Sequence, residues 1–244
     1  MLNDLLLLSG NDIPFPQAQV TIHQPTVKEI AYIGEEAFFT GCELLNFSKN
    51  ILTEEDKFNL GDKTNFDILI AILREQNAVM QKNRNCVLMV LAFMFPDYEI
   101  TIKDSIILKK EDTEYKIDSN NFEEFKTIIN KMFDTKKEES SSDFNPSGDL
   151  AKKIADKLKK RHQRLAEKNN QKAQKIDILS RYISILAIAQ NIDMNSLLNY
   201  TVYQLYDTFK RYELKSGYDI YVKAKMAGAK DLKEVEDWMQ DIHS

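Results

Sequence analysis

The sequence predicts two unlike parts in series: an α+β first part, with helices on a small antiparallel sheet, and an all-α second part. Three observations predict this. Residues 134–148, DTKKEESSSDFNPSG, hold one aromatic and no aliphatic side chain. That is too little apolar surface to offset the entropy of ordering the chain, so the stretch reads as a flexible linker. Before it, short runs of β-branched residues alternate with stretches of helical spacing, whereas after it only helical spacing occurs. Charge divides at the same place. Residues 146–244 carry 18 Lys/Arg against 13 Asp/Glu and residues 1–145 carry 15 against 25, in a chain of net charge −5. The expected organisation is an α+β domain at 1–133, a linker at 134–148 and a helical domain at 149–244.

The leucine run Leu5–Leu8 follows Asp4 rather than a basic segment, and Asp12 and two prolines come after it. It reads as a short docking segment and not as a signal peptide. Ile13-Pro14-Phe15-Pro16 is extended, because each proline biases its predecessor away from helix. Gln19 to His23 alternates as a strand. Thr26 caps the next helix with Glu29 in capping-box position, and Gly41 is the expected interruption of that helix. A helix start follows at Thr53. Thr64 to about Gln76 is helical through Phe66, Ile68, Leu69, Ile72 and Leu73. The apolar run Cys86–Phe95 reads as the buried end of a helix that begins near Asn77 and stops at Pro96. Tyr98–Ile102, Ile106–Leu108 and Glu114–Ile117 form a small antiparallel meander. Asn120 or Asn121 caps a last helix that buries Phe122, Phe125, Ile128, Ile129, Met132 and Phe133.

In the second part, Asp149 to about Lys175 is helical and basic, with ten Lys/Arg and two acids between Lys152 and Lys175. Its stripe Leu150, Ile154, Leu158, Leu165 is narrow and suits one partner helix. Ile176–Ala189 is apolar enough to be buried. Asp193 or Asn195 caps a short turn, and Thr201 caps Val202–Leu214. Ser216-Gly217 marks a turn before a helix at Tyr218–Ala227, which Gly228 ends. Asp231 to about Asp241 is a last acidic helix that carries Trp238.

No constellation points to catalysis. His23, His162 and His243 lie far apart, and Cys42 and Cys86 stand in apolar helical patterns without a CxxC partner. Gly-rich phosphate loops and metal-ligand spacings are absent from the sequence, which implies no cofactor and no metal. The paired carboxylates Glu35/Glu36 and Glu123/Glu124 fit first turns of helices, where the dipole favours them. The basic helix has no interleaved aromatics for stacking bases, and the whole chain is acidic, which argues against a nucleic-acid partner. No long apolar face with Trp or Phe favours a membrane. The series Tyr200, Tyr203, Tyr206, Phe209, Tyr212 advances in threes and drifts around a helix, so some rings pack and others are free to dock.

Three segments, QVTIHQPTVKEI (19–30), YQLYDTFKRYELK (203–215) and KMAGAKDLKEVEDW (225–238), together with the two-part layout, resemble the tail assembly chaperones of long-tailed bacteriophages. The resemblance implies a non-enzymatic protein of the host cytoplasm. Its helical extension would bind the tape-measure protein, while its first part would self-associate or recruit tail-tube subunits. It also implies that the extension can arise by frameshifting, near the codons of Lys136-Lys137-Glu138. The contact residues it implies are Tyr203, Tyr206, Phe209, Tyr212, Met226 and Trp238, with Lys159, Lys160 and Arg164 steering acidic partners. The alternatives are a structural virion component, such as a baseplate or tail-completion protein, and then a nucleic-acid-binding adaptor.

Overall fold

The two extended segments near the start pair with each other. Strands β1 (Ile13–Phe15) and β2 (Val20–Ile22) form an antiparallel hairpin, with Ile13 opposite Ile22 and Phe15 opposite Val20. A 3-10 turn at Pro16–Ala18 joins them and closes on Gln19 at φ 56. Alternation buries Ile13, Phe15, Val20 and Ile22 on one face and leaves Pro14 and Thr21 outside. The computed structural model describes residues 2–48, 62–74, 78–133, 177–228 and 237–240. The expected linker at 134–148, the basic helix from Asp149 and the helix start at Thr53 lie outside these residues.

Helix α1 (Asp4–Ser9) carries the leucine run, but only Leu7 is fully buried, and Leu5 faces solvent. Helix α2 (Val27–Ile33) starts at the expected capping box. Thr26 Oγ1 accepts from the Glu29 N–H at 3.3 Å, and Glu29 Oε2 accepts from the Thr26 N–H at 2.7 Å. The interruption expected at Gly41 occurs earlier, at Gly34, whose φ of 85° is a conformation glycine adopts without strain. Helix α3 (Glu35–Leu45) follows. Gly41 lies inside it for a different reason. A Cβ there would stand 2.6 Å from the Cys86 carbonyl oxygen and 2.6 Å from Val90 Cγ2. Cys86 and Val90 belong to α5 (Ala78–Met94), so α3 and α5 touch backbone to side chain at the glycine. Between them in sequence, α4 (Asn65–Arg74) starts at Thr64 and buries Phe66, Leu69, Ile70 and Leu73.

The meander forms as expected. Strands β3 (Glu99–Ile102), β4 (Ile106–Lys110) and β5 (Thr113–Ile117) lie in that order, all antiparallel. Its registers align Ile102, Ile106 and Ile117 in one row, all buried, and Ile100, Leu108 and Tyr115 in another. Asn121, just before α6 (Phe122–Phe133), turns its side chain back onto the meander. Its Oδ1 accepts from the Asp118 N–H, and its Nδ2 donates to the Lys116 carbonyl. The apolar face of α6 is the one expected, and its rings join the other elements. Phe125 lies 5.9 Å from Phe15 and 6.0 Å from Phe95, Phe122 lies 5.1 Å from Phe66, and Phe133 lies 5.0 Å from Phe38.

After the linker region the described chain is helical: α7 (Ile178–Gln190), α8 (Met194–Leu198) and α9 (Val202–Met226). Asp193 caps α8, and Thr201 caps α9 in a box with Gln204. The turn expected at Ser216-Gly217 is absent, and α9 runs straight through it. A glycine inside a helix costs only about 1 kcal/mol relative to alanine, and the Lys215–Asp219 pair at 2.8 Å spans this one. The final helix expected around Trp238 is also corrected in its described part. Residues 237–240 form a turn, and the Trp238 and Gln240 carbonyls are engaged by the Arg211 guanidinium. Leu179, Leu186, Leu197, Val202 and Leu205 share one buried cluster with Phe38 and Phe133. Met1–Thr135 and Ile178–Ser244 accordingly form one compact unit.

Two glycines give opposite expectations. Gly41→Ala gains helix propensity but forces α3 off α5, and overpacking of this kind costs about 1–3 kcal/mol. A Cβ at Gly217 meets nothing within 4 Å, so Gly217→Ala should stabilise by up to about 1 kcal/mol. Urea midpoints should therefore move in opposite directions. A second expectation concerns pH. Burial pushes the Glu29 carboxyl up, but the Thr26 N–H and hydroxyl, with His23 beside them, hold it below its ordinary value of 4.5. A depressed carboxylate contributes stability above its ordinary value and loses it as pH falls through the lowered one. Melting temperatures of wild type and Glu29→Gln should thus differ most near pH 7 and converge as pH falls through the lowered value.

Candidate docking surface

Among the described residues the two cysteines, His23 and the Thr26 hydroxyl each have a definite setting. Both cysteines are buried, and burial pushes the Cys42 thiol well up, with Glu43 adding to the effect. His23 sits between two carboxylates, with Nδ1 at 3.0 Å from Asp12 and Nε2 at 3.4 Å from Glu29. The nearby hydroxyl, that of Thr26, donates to Glu29 at 2.7 Å and so holds the helix cap. Among the described residues no three His, Cys, Asp or Glu side chains are grouped to hold a metal ion. No helix among them is long and apolar enough to cross a membrane.

The helical module is fastened to the first part at two places. At the first, Thr26 and Thr201 form an isolated antiparallel bridge, and the Val27 N–H donates to the Tyr200 carbonyl at 2.9 Å. Both threonines begin helices. Gln204, which closes the Thr201 box, also donates from Nε2 to the Leu8 carbonyl at 2.7 Å. At the second, the Glu35 carboxylate accepts from the Ile178 N–H at 2.7 Å and from the Leu179 N–H at 3.1 Å. These are first-turn amides of α7, which its own helix leaves without partners. Glu35 is therefore a capping residue for a helix far away in sequence. Sequence reasoning placed it in the first turn of its own helix, which it occupies, but nothing local marks a cap supplied to another element.

Apolar exposure concentrates on this module. Ile178, Ile188, Met194, Tyr218, Ile220, Met226 and Met239 are seven of the eleven large hydrophobic residues exposed among the described ones. Yet the module holds only about a third of the described residues. Scattered single exposures are normal, and this enrichment is what makes the module the candidate docking surface.

The sequence-proposed contact residues fall into four groups. Tyr203 and Phe209 are buried in the protein's own core, and Phe209 stacks on Tyr182 at 3.7 Å. Tyr206 and Tyr212 are partly buried beside them: Tyr206 lies edge-on to Tyr182 at 5.6 Å, and Tyr212 is 6.4 Å from Phe209. Met226 is 83 % exposed near the end of α9, and Trp238 is half-buried in the turn held by Arg211. Lys159, Lys160 and Arg164 lie outside the described residues.

Beyond Phe209 no residue of α9 is buried. The helix continues to Met226 as an arm about 25 Å long at 1.5 Å per residue. Leu214, Tyr218 and Tyr221 follow one another in steps of four and three and so share one face. Lys210 extends the row by one turn at one end and Lys225 at the other, with Lys225 Nζ 5.5 Å from the Tyr221 ring centre. The spacing is readable in the sequence. It was hidden because Ser216-Gly217 reads as a turn and divides the row.

Residues 168–243 match the model of a domain family described as the YomV second domain, a phage-associated family. The match covers about a third of the chain and includes α7, α8, α9 and the Trp238 turn. No curated protein and no solved structure matches the chain.

Glu35 gives the test of how the module is held. Glu35→Ala removes the acceptor for two first-turn amides, a loss of about 0.5–2 kcal/mol for a capping residue. Hydrogen exchange at the Ile178 and Leu179 amides should accelerate, while exchange in β4 should stay unchanged.

Proposed function

We propose that the protein is a non-enzymatic tail assembly chaperone of a long-tailed phage, acting in the host cytoplasm on the tape-measure protein. The observation that carries this reading is the concentration of exposed apolar side chains on the helical module that matches a phage-associated domain family. A tape-measure protein is a long helical chain whose apolar stripes need covering until the tail tube encloses them. A rigid helical surface with exposed Ile, Met and Tyr suits that task, because a helix laid against it buries stripes on both sides. The first part, acidic and stabilised by its own aromatic core, is left to self-associate or to recruit tail-tube subunits. No cofactor takes part.

The test is co-expression of the full chain with the tape-measure protein of the same phage. The chain should keep that protein soluble and co-purify with it, and the double variant Ile188→Ser/Met226→Ser should recover several-fold less. Mass spectrometry of finished virions should not find the chain. A tape-measure protein that stays insoluble overturns the proposal. So does a stoichiometric place in the virion, which would instead mark a structural component.

A further inference from the structure

We infer that the α9 arm is a seat for a single acidic amphipathic helix of the partner, docked along Lys210, Leu214, Tyr218, Tyr221 and Lys225. The inference rests on the proposed function only for which protein supplies that helix. Three observations lead to it. The row is continuous along α9 beyond its last buried residue, Phe209, with Tyr218 exposed and Leu214 and Tyr221 half-buried, and its apolar middle is narrow, suited to a contact with one helix. Both ends of the row are lysines, about 22 Å apart at 1.5 Å per residue. Residues 210–226 hold five basic side chains and two acidic ones, and one of those acids, Asp219, is already paired with Lys215.

The charge pattern specifies the occupant. Lys210 is exposed, and among the described residues no carboxylate pairs with it or with Lys225. A helix with apolar residues at heptad spacing and carboxylates about four turns apart would cover Leu214, Tyr218 and Tyr221 and meet a lysine at each end. A basic or neutral helix would leave the terminal lysines facing like charge or no charge. Leading contacts of this kind steer encounter and set register more than they add affinity. Met226 and Ile220 point off the row and lie outside the seat, while Arg211, next to its start, holds the Trp238 turn against the same arm.

Trp238 is the chain's one tryptophan, so its fluorescence reports on this arm alone. The experiment titrates the full-length protein with three synthetic amphipathic helical peptides of about three heptads. All share leucine at the apolar positions, and their flanking residues are glutamate, lysine or glutamine. The glutamate peptide should shift Trp238 emission and bind about tenfold more tightly than the glutamine peptide. Its affinity should fall with added salt, and the lysine peptide should not bind. Lys210→Glu/Lys225→Glu should abolish the preference for the glutamate peptide, and Tyr218→Ser should weaken all binding. Lys103→Glu, on the exposed meander, should change neither. Circular dichroism of each variant reports whether the fold is kept. Equal binding of the three peptides overturns the inference, as does an unchanged preference in the folded double variant. A wild-type dimer that the double variant converts to monomer also overturns it, because the seat would then hold a second copy. Loss of tape-measure solubilisation with intact peptide preference would overturn the proposed function and leave the seat in place.

Discussion

Thr26 and Thr201 sit side by side at the starts of two helices, and the rest of the assembly hangs on that pairing. A helix start leaves main-chain amides without partners, and burying them unpaired is costly. Here the α2 start is completed from the other part of the chain, and the box that caps α9 bonds back to the first part. The Tyr200 carbonyl accepts from the first amide of α2, and Gln204 closes the α9 box while reaching the Leu8 carbonyl. Glu35 supplies the corresponding service to α7. The helical module thus lends and takes hydrogen bonds at its contact with the first part, beyond the apolar area buried there. With α9 anchored at its start, its direction is set, and past Phe209 and Tyr212 the helix continues without another residue packed on the shared core.

Packing around that joint is organised by α6. Its phenylalanines touch the hairpin through Phe15, the end of α5 through Phe95, α4 through Phe66 and α3 through Phe38. The close approach of α3 to α5 at Gly41 completes this core without leaving space for a methyl group. Such a core is intolerant of added volume. It offers a rigid base from which the arm of α9 presents its row of side chains, and rigidity of this kind reduces the entropy lost when a partner docks.

Much of the first part was legible because its signals are local. The Thr26 box, the meander and the α6 stripe each depend on residues within one or two turns, or on alternation along one strand. The pairing of Ile13–Phe15 with Val20–Ile22 was half visible: both segments read as extended, but their register depends on the turn at Pro16–Ala18. The misplaced features share a cause. Gly41 was read as a helix break and Gly217 as a turn because glycine has the same weak propensity wherever it occurs. Only a neighbour distinguishes a glycine kept for close approach from one tolerated on a solvated arm. In the same way the row from Lys210 to Lys225 was present in the sequence and divided by a turn that does not form.

By itself the sequence determined the class of each part, the caps that begin α2 and α9, the buried stripe of α6 and the change of charge near residue 146. These follow from the period of the apolar residues and from side chains that bond to their own backbone a turn away. Only the tertiary structure decided that the described helices of the second part share a core with the first. It also decided that Glu35 caps α7, that Tyr203 and Phe209 face inward, and that the tyrosines left outward lie on an uninterrupted arm. Those outcomes depend on contacts between residues far apart in the chain, and no local pattern encodes which distant surface a side chain will meet.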